Sequence, residues 1–178
     1  MTNAELAILS LVAEQPRHGY EIDQVIKERG MRDWTEIGFS SIYYLLKKLE
    51  RDGKIGGRLE EAERGPARKV YHITPGGQKT FHAAVLDALS VPGRYYSPLQ
   101  LGLANLPSIP HEETLTALGQ YRDALAARLA RIREKQQHQQ PLPFFVDAMF
   151  EHSTTMIKAE LGWVERFKKE LEEEHAQD

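Results

Sequence analysis

The spacing of the apolar residues changes once in the first half of the chain, and this change constrains the fold most strongly. Before residue 54, apolar side chains recur every three or four positions, as they do in amphipathic helices. From Lys69 to Thr74, polar and apolar side chains alternate as in a half-buried strand, and a shorter strand-like run begins at Ile55. The turn signal Gly65-Pro66 lies between these two runs. The pattern therefore predicts three short helices followed by a β-hairpin.

Capping residues predict where two of the helices begin. Thr2 and Glu5 have the spacing of a capping box, which predicts a first helix over Asn3–Glu14. Thr74 followed by Pro75 predicts the start of a fourth helix directly after the hairpin, because threonine caps a helix and proline suits its first position.

The third predicted helix has two chemically different faces. Ser40 is its predicted N-cap and Gly53 its stop signal. At about 100° per residue, its apolar residues fall on one face, and hydroxyl, aromatic and basic residues fall on the other. The apolar face holds Ile42, Leu45, Leu46 and Leu49; the other holds Ser40, Tyr44, Lys47, Lys48 and Arg51, with Tyr43 flanking it and Ser41 in the first turn.

The chain has a negative net charge but contains a locally basic region. The chain has 23 Lys and Arg against 26 Asp and Glu, a net charge of -3, yet residues 40–58 hold five bases and two acids. Three helices followed by a basic hairpin are the order of a winged helix-turn-helix that binds double-stranded DNA. Base contacts are then expected from Ser40, Ser41, Tyr43 and Tyr44, and phosphate contacts from Lys47, Lys48 and Arg51 on the helix and Arg64, Arg68 and Lys69 on the wing.

The second half of the chain has a different organisation. Residues 91–110 hold four of the nine prolines and are predicted to form a hinge with one short helix, after a DNA-binding domain at residues 1–90. Residues 111–178 carry two long helical patterns, and the last has two apolar seams, which predicts a coiled-coil-like dimerisation domain in a mainly α chain. The predicted dimer interface comprises Phe145, Met149, Met156, Ile157, Leu161, Val164, Phe167 and Leu171.

Three motifs in order resemble a known family: ILSLVAEQPRHGYEI from Ile8, SSIYYLLKKLERDGKI from Ser40, and GPARKVYHITPGG from Gly65. They are similar to those of PadR-family bacterial transcriptional regulators, and the long-helix pair resembles, more weakly, the C-terminal domain of the longer members. The resemblance implies a homodimer, most often a repressor, with C-terminal helices exchanged between subunits. By position, Ser41, Ile42 and Tyr43 match the recognition-helix motif, and Gly65, Pro66, Arg68 and Lys69 match the wing. Tyr44 stands where many members have proline.

Some PadR relatives respond to aromatic compounds, so the resemblance also implies an effector pocket at the subunit interface. Trp34 and Trp163 are the candidate effector contacts, although tryptophans at such spacing more often belong to the core. The sequence does not identify the ligand.

Other function classes find little support in the sequence. The chain has no cysteine, and its seven histidines lack ligand spacing, so we expect no metal and no cofactor. No nucleophile, base and orienting group can be nominated for a hydrolase or transferase. A winged-helix module that binds protein instead of DNA remains the alternative. No apolar run approaches the roughly 20 residues that span a bilayer, which predicts a cytoplasmic protein.

Overall fold

The computed structural model describes residues 1–35, 37–38, 41–61, 67–93 and 96–175, which form two compact units, Met1–Tyr95 and Tyr96–Asp178. We call them the N-terminal unit and the C-terminal unit. Among the predicted site residues, Ser40 and Arg64 lie outside the described residues, as do Gly65 and Pro66.

Among the described residues, the N-terminal unit has four α-helices and three strands, and the C-terminal unit has three α-helices. In chain order, the N-terminal unit has α1 (Asn3–Glu14), β1 (Arg17–His18), α2 (Gly19–Glu28), a 3₁₀ turn (Met31–Asp33), α3 (Ser41–Arg51), β2 (Ile55–Glu60), β3 (Arg68–Ile73) and α4 (Pro75–Ser90). The C-terminal unit has α5 (Pro98–Ala104), a 3₁₀ turn (Leu106–Ser108), α6 (His111–His138) and α7 (Phe144–His175). The predicted fold class, mainly α with a winged helix-turn-helix, is confirmed.

The predicted caps are present. Thr2 Oγ1 accepts from the backbone N–H of Glu5 at 3.2 Å, and Glu5 Oε2 accepts from the N–H of Thr2 at 2.8 Å, so both halves of the capping box form. Thr74 caps α4 through the N–H of Gly77 at 2.9 Å. Gly53, just after α3, has φ of +68°, a left-handed conformation that glycine adopts without strain.

The sheet is antiparallel, with strand order β1-β3-β2. β2 and β3 form the predicted hairpin, in which Ile55 pairs with Ile73 and Arg58 with Val70. β1 was not predicted, because two residues are too short to show an alternating pattern. By pairing Arg17 with Tyr71 and His18 with Val70, it attaches the start of α2 to the wing.

The N-terminal unit has a continuous core beneath α3. Ile8, Leu9, Ile22, Ile26 and Leu46 are fully shielded from solvent within one cluster that also contains the other apolar residues of α3. Burying the apolar face of α3 in this way leaves its other face toward solvent.

The C-terminal unit is built around α6 and α7. Leu118, Leu125 and Leu129 of α6 pack with Ile157 and Val164 of α7, and Tyr121 donates a 2.7 Å hydrogen bond to Glu160. Over the described ranges of the chain, no helix has both the length and the apolar composition needed to cross a membrane.

Candidate nucleic-acid interface

The exposed face of α3 begins with two aromatic side chains. Ile42 and Leu46 point into the core, whereas Tyr43 and Tyr44 are 64% and 67% exposed. Ser41 lies in the same first turn and donates from its hydroxyl to the carbonyl of Gly38 at 2.7 Å. This end of α3 therefore presents hydroxyl and aromatic groups, which suit contacts with base edges and sugars.

The basic residues of α3 have different surroundings. Lys47 is exposed and forms no ion pair with a residue that the structure describes. Arg51 bonds to the neighbouring Asp52 at 3.2 Å. Lys48 is half-buried and donates to Glu5, the buried acid of the α1 capping box. Lys47 is thus available to an external anion, whereas Lys48 joins α3 to α1.

The Glu5–Lys48 pair shifts the titration of both groups. The hydrogen bond from Lys48 is the largest cause that lowers the pKa of Glu5, and the bond to the backbone of Thr2 adds to it, against the opposing effect of burial. The same hydrogen bond raises the pKa of Lys48. Both groups are therefore charged at neutral pH, and their pairing adds an ionic contact between α1 and α3.

In the described part of the wing, two adjacent cations differ in their partners. Lys69 Nζ donates to Glu50 Oε2 of α3 at 2.7 Å and lies 5.5 Å from the centre of the Tyr71 ring. The bond to Glu50 raises the pKa of Lys69. Arg68 is exposed and forms no ion pair within the described part of the chain. Among the described residues of the wing, Arg68 is therefore a cation available to a phosphate.

The Glu50–Lys69 pair lies over Gly57 of β2. A Cβ atom at this position would overlap the stem of Lys69 and would lie 2.7 Å from Glu50 Oε1. The lysine stem therefore crosses the bare backbone of β2 to reach the recognition helix. This contact links the wing to α3.

A groove of about 480 Å³ lies between α2, α3 and the wing. It is lined by His18, Gly19, Tyr20, Glu21, Tyr43, Arg68, Lys69 and Tyr71. Of these, Tyr43, Arg68 and Lys69 were predicted as DNA contacts, and the structure brings them together. The others were not, because the motif that contains His18, Gly19 and Tyr20 was used only for its resemblance to a family. The basic residues of the wing were the sequence signal for an anion-binding surface in this region. The pairing of the wing with β1, which brings His18 next to it, joins distant residues and is not visible in a local pattern.

The two tryptophans lie in different units. Trp34 follows the 3₁₀ turn of the N-terminal unit and is about half exposed. Trp163 of α7 is half-buried and stacks on Phe167, with ring centres 5.0 Å apart and planes inclined by 16°. Within the described residues, no group of acidic side chains and histidines has a geometry that would hold a metal ion.

The two seams of α7 also differ. Ile157 and Val164 are buried against α6, and Leu161, Phe167 and Leu171 pack at the edge of the same cluster. Phe145, Met149 and Met156 are exposed. We call these three residues the outer seam. They form the part of the predicted dimer interface that the described residues of the C-terminal unit leave open.

Comparisons with known proteins agree with this geometry. Residues 8–83, which include the recognition helix and the wing, match the PadR-like family of transcriptional regulators. A protein of Lysinibacillus sphaericus is 34% identical over 71 residues, which are 40% of this chain and 64% of that relative, so the matched segment spans under two thirds of the relative's length.

Solved structures extend the similarity of the fold to the C-terminal unit. Bacillus subtilis PadR in complex with operator DNA has a TM-score of 0.76 at 21% identity, over 94% of this chain and 98% of that one. The same protein in complex with p-coumaric acid has a TM-score of 0.74 at 21% identity, over the same shares of the two chains. In its motifs, its winged-helix fold and the match over residues 8–83, this chain is similar to the PadR-like family of transcriptional regulators.

Proposed function

We propose that this protein is a cytoplasmic repressor that binds promoter DNA with sequence specificity. The observation that supports this best is the exposed face of α3, where Tyr44 and Lys47 lie next to a wing on which Arg68 forms no ion pair with a described residue. Lys47 and Arg68 supply charge for phosphates, and the first turn of α3 supplies groups for base edges. Bacillus subtilis PadR has been crystallised with operator DNA, which supports the same function here.

A protein-binding winged-helix module is the alternative. A partner protein would favour an apolar or acidic outer face on α3, because interface cores are depleted of charged residues. The outer face is instead basic and aromatic. DNA is therefore the favoured partner.

We propose that the active form is a homodimer joined through the outer seam of α7. Met156 is 59% exposed and Phe145 is 67% exposed, and a second subunit would remove this apolar surface from water. Two-fold symmetry then presents two copies of α3. They enter successive major grooves on one side of the duplex if the half-sites lie about 10 base pairs apart. The proposed operator is therefore an inverted repeat.

A small aromatic acid is the proposed effector class. Bacillus subtilis PadR has been crystallised with p-coumaric acid, and this chain carries a stacked Trp163–Phe167 pair in its C-terminal unit. An aromatic acid that binds there would stack on the indole ring and change its fluorescence. Titration with p-coumaric acid should quench the emission of wild type and of Trp34→Phe alike, and Trp163→Phe should lose the response. An unchanged emission in wild type would contradict this effector class.

The proposed function is tested by recovering the DNA that the purified protein retains from a fragment library. The recovered sequences should share an inverted repeat, and a gel shift should show at least about 1,000-fold preference for that repeat over random DNA. Lys47→Ala should weaken binding to both kinds of DNA, because Lys47 faces the backbone. Retention of unrelated sequences with no preference would reject sequence-specific regulation.

A further inference from the structure

We infer that the groove between α2, α3 and the wing binds one phosphodiester of the DNA backbone, with Arg68 as its cation. In this assignment Tyr43 forms part of the wall of the groove and does not read a base. The inference rests on the proposed DNA binding. It adds Tyr20, on α2, to the contacts, and it divides the roles of the two adjacent tyrosines of α3.

The position of Tyr43 is set by the first residue of α2. A Cβ atom at Gly19 would lie 2.7 Å from Cε1 of the Tyr43 ring, so this ring rests directly on bare backbone. The ring therefore leans toward α2 and lines the groove, although most of its surface stays exposed. Tyr44 does not line the groove and is the more exposed of the two. The adjacent tyrosines thus face different parts of a bound duplex.

The charges around the groove favour an anion. Glu21, the acid that lines it, accepts from the backbone N–H of His18 at 2.7 Å and so caps α2. Lys69 is held by Glu50. Arg68 forms no ion pair within the described ranges, and a guanidinium binds phosphate oxygens in pairs. Among the described residues that line the groove, Arg68 is therefore the cation that an incoming phosphate can bind without breaking an ion pair.

The aromatic walls complete the match to a phosphodiester and its sugars. Burial raises the pKa of the Tyr71 hydroxyl, which keeps it neutral. Tyr20 Oη accepts from Gln24 Nε2 at 3.3 Å, so its own proton remains available for donation. Tyrosine hydroxyls donate to phosphate oxygens, and tyrosine rings pack against deoxyribose. The groove lies between α3 and the wing, which are the two elements expected to approach DNA.

The first test measures charge with a matched arginine pair. Arg58 and Arg68 are both exposed and both on the hairpin, but Arg58 pairs with Glu60 at 2.6 Å and does not line the groove. On a fluorescent random-sequence duplex, Arg68→Gln should weaken binding roughly tenfold and lower the slope of log affinity against log salt by about 0.9. Arg58→Gln should change the slope much less. Equal slopes for Arg68→Gln and wild type would overturn the inference.

The second test separates the two tyrosines. Tyr43→Phe removes a hydroxyl from the groove, so it should weaken the selected repeat and a random duplex by the same factor. Tyr44→Phe should reduce the preference for the repeat, because its hydroxyl is placed to meet base edges. If Tyr43→Phe lowers the preference as Tyr44→Phe does, Tyr43 reads a base and the assignment is wrong.

The third test locates the phosphate. In the selected repeat, each phosphate is replaced in turn by a neutral methylphosphonate, and binding is measured for wild type and Arg68→Gln. One position per half-site should weaken wild type and have little further effect on Arg68→Gln. If no position behaves in this way while the unmodified repeat still binds tightly, the groove assignment fails and the proposed function stands. If the wild type binds no DNA at all, both fail.

Discussion

The two units differ in how completely each covers its own apolar residues. In the N-terminal unit, three helices and a sheet surround the core, and side chains such as Ile8 and Leu46 are 0% exposed. In the core cluster of the C-terminal unit, Val164 alone reaches that level. Two long helices cover only one side of each other, so apolar side chains of α7 remain in solvent. The N-terminal unit is therefore complete as a core, whereas the C-terminal unit exposes the outer seam, where we propose that a second subunit binds.

A matched pair of leucines gives the largest expected effect. Leu46→Ala should lower the free energy of unfolding by about 2–5 kcal/mol, because the cavity is enclosed on all sides. Leu129→Ala should cost less, because Leu129 keeps 7% exposure in a core formed by two helices, where the surroundings relax more easily. Urea unfolding of both variants at one protein concentration measures the difference. Equal losses would show that the C-terminal core is as enclosed as the N-terminal one.

A charge on the outer seam should have the next largest effect. Met156→Glu should weaken the dimer by at least about 2 kcal/mol, roughly 30-fold in the dissociation constant, because a carboxylate would be buried at the interface. Thr155→Glu is the control, since it adds the same charge at an exposed neighbour away from the outer seam. Sedimentation over a concentration series measures both. A wild-type monomer at micromolar concentration, or equal dissociation of the two variants, would contradict the proposed interface.

The sequence predicted the features that depend on near neighbours in the chain. Thr2 and Glu5 are three residues apart, and both the capping box and the bounds of α1 are confirmed. The buried face of α3 was equally predictable, because one helical period places Ile42, Leu45, Leu46 and Leu49 together.

Distant contacts were not predictable in the same way. The Glu5–Lys48 pair joins residues 43 positions apart, and Glu50–Lys69 joins residues 19 positions apart. Helical spacing placed Lys48 on the polar face, but it does not show which acid another helix brings nearby. For the same reason, the sequence placed Arg68 and Lys69 together on the wing without distinguishing the free cation from the paired one.

Acid should act on the N-terminal unit through Glu5. Because the folded-state pKa of Glu5 is lowered, its pair with Lys48 stabilises the fold at pH values above the ordinary carboxyl range, and this stabilisation is lost as pH falls through the lowered pKa. Glu5→Gln should cost about 1–2 kcal/mol at pH 7, and its difference from wild type should shrink toward pH 3. Glu60→Gln, whose partner is exposed, should change stability by less than about 0.5 kcal/mol. A pH-independent difference for Glu5→Gln would refute this role.

The smallest expected effect is a gain in stability in the C-terminal unit. Gly119 lies inside α6, and no described atom lies within 4 Å of a Cβ built on it. Gly119→Ala should therefore stabilise the chain by about 0.5–1 kcal/mol, because alanine lowers the backbone entropy of the unfolded state. The same change at Gly77 is the contrast, because a Cβ there would overlap the carbonyl oxygen of Lys54 and should destabilise the enclosed N-terminal unit. Thermal unfolding over a range of protein concentrations measures both. Gly119→Ala could instead destabilise the chain, and more strongly at the high protein concentrations that favour the dimer. That result would show that a second subunit approaches α6 closely at Gly119 and that the interface extends beyond the outer seam of α7.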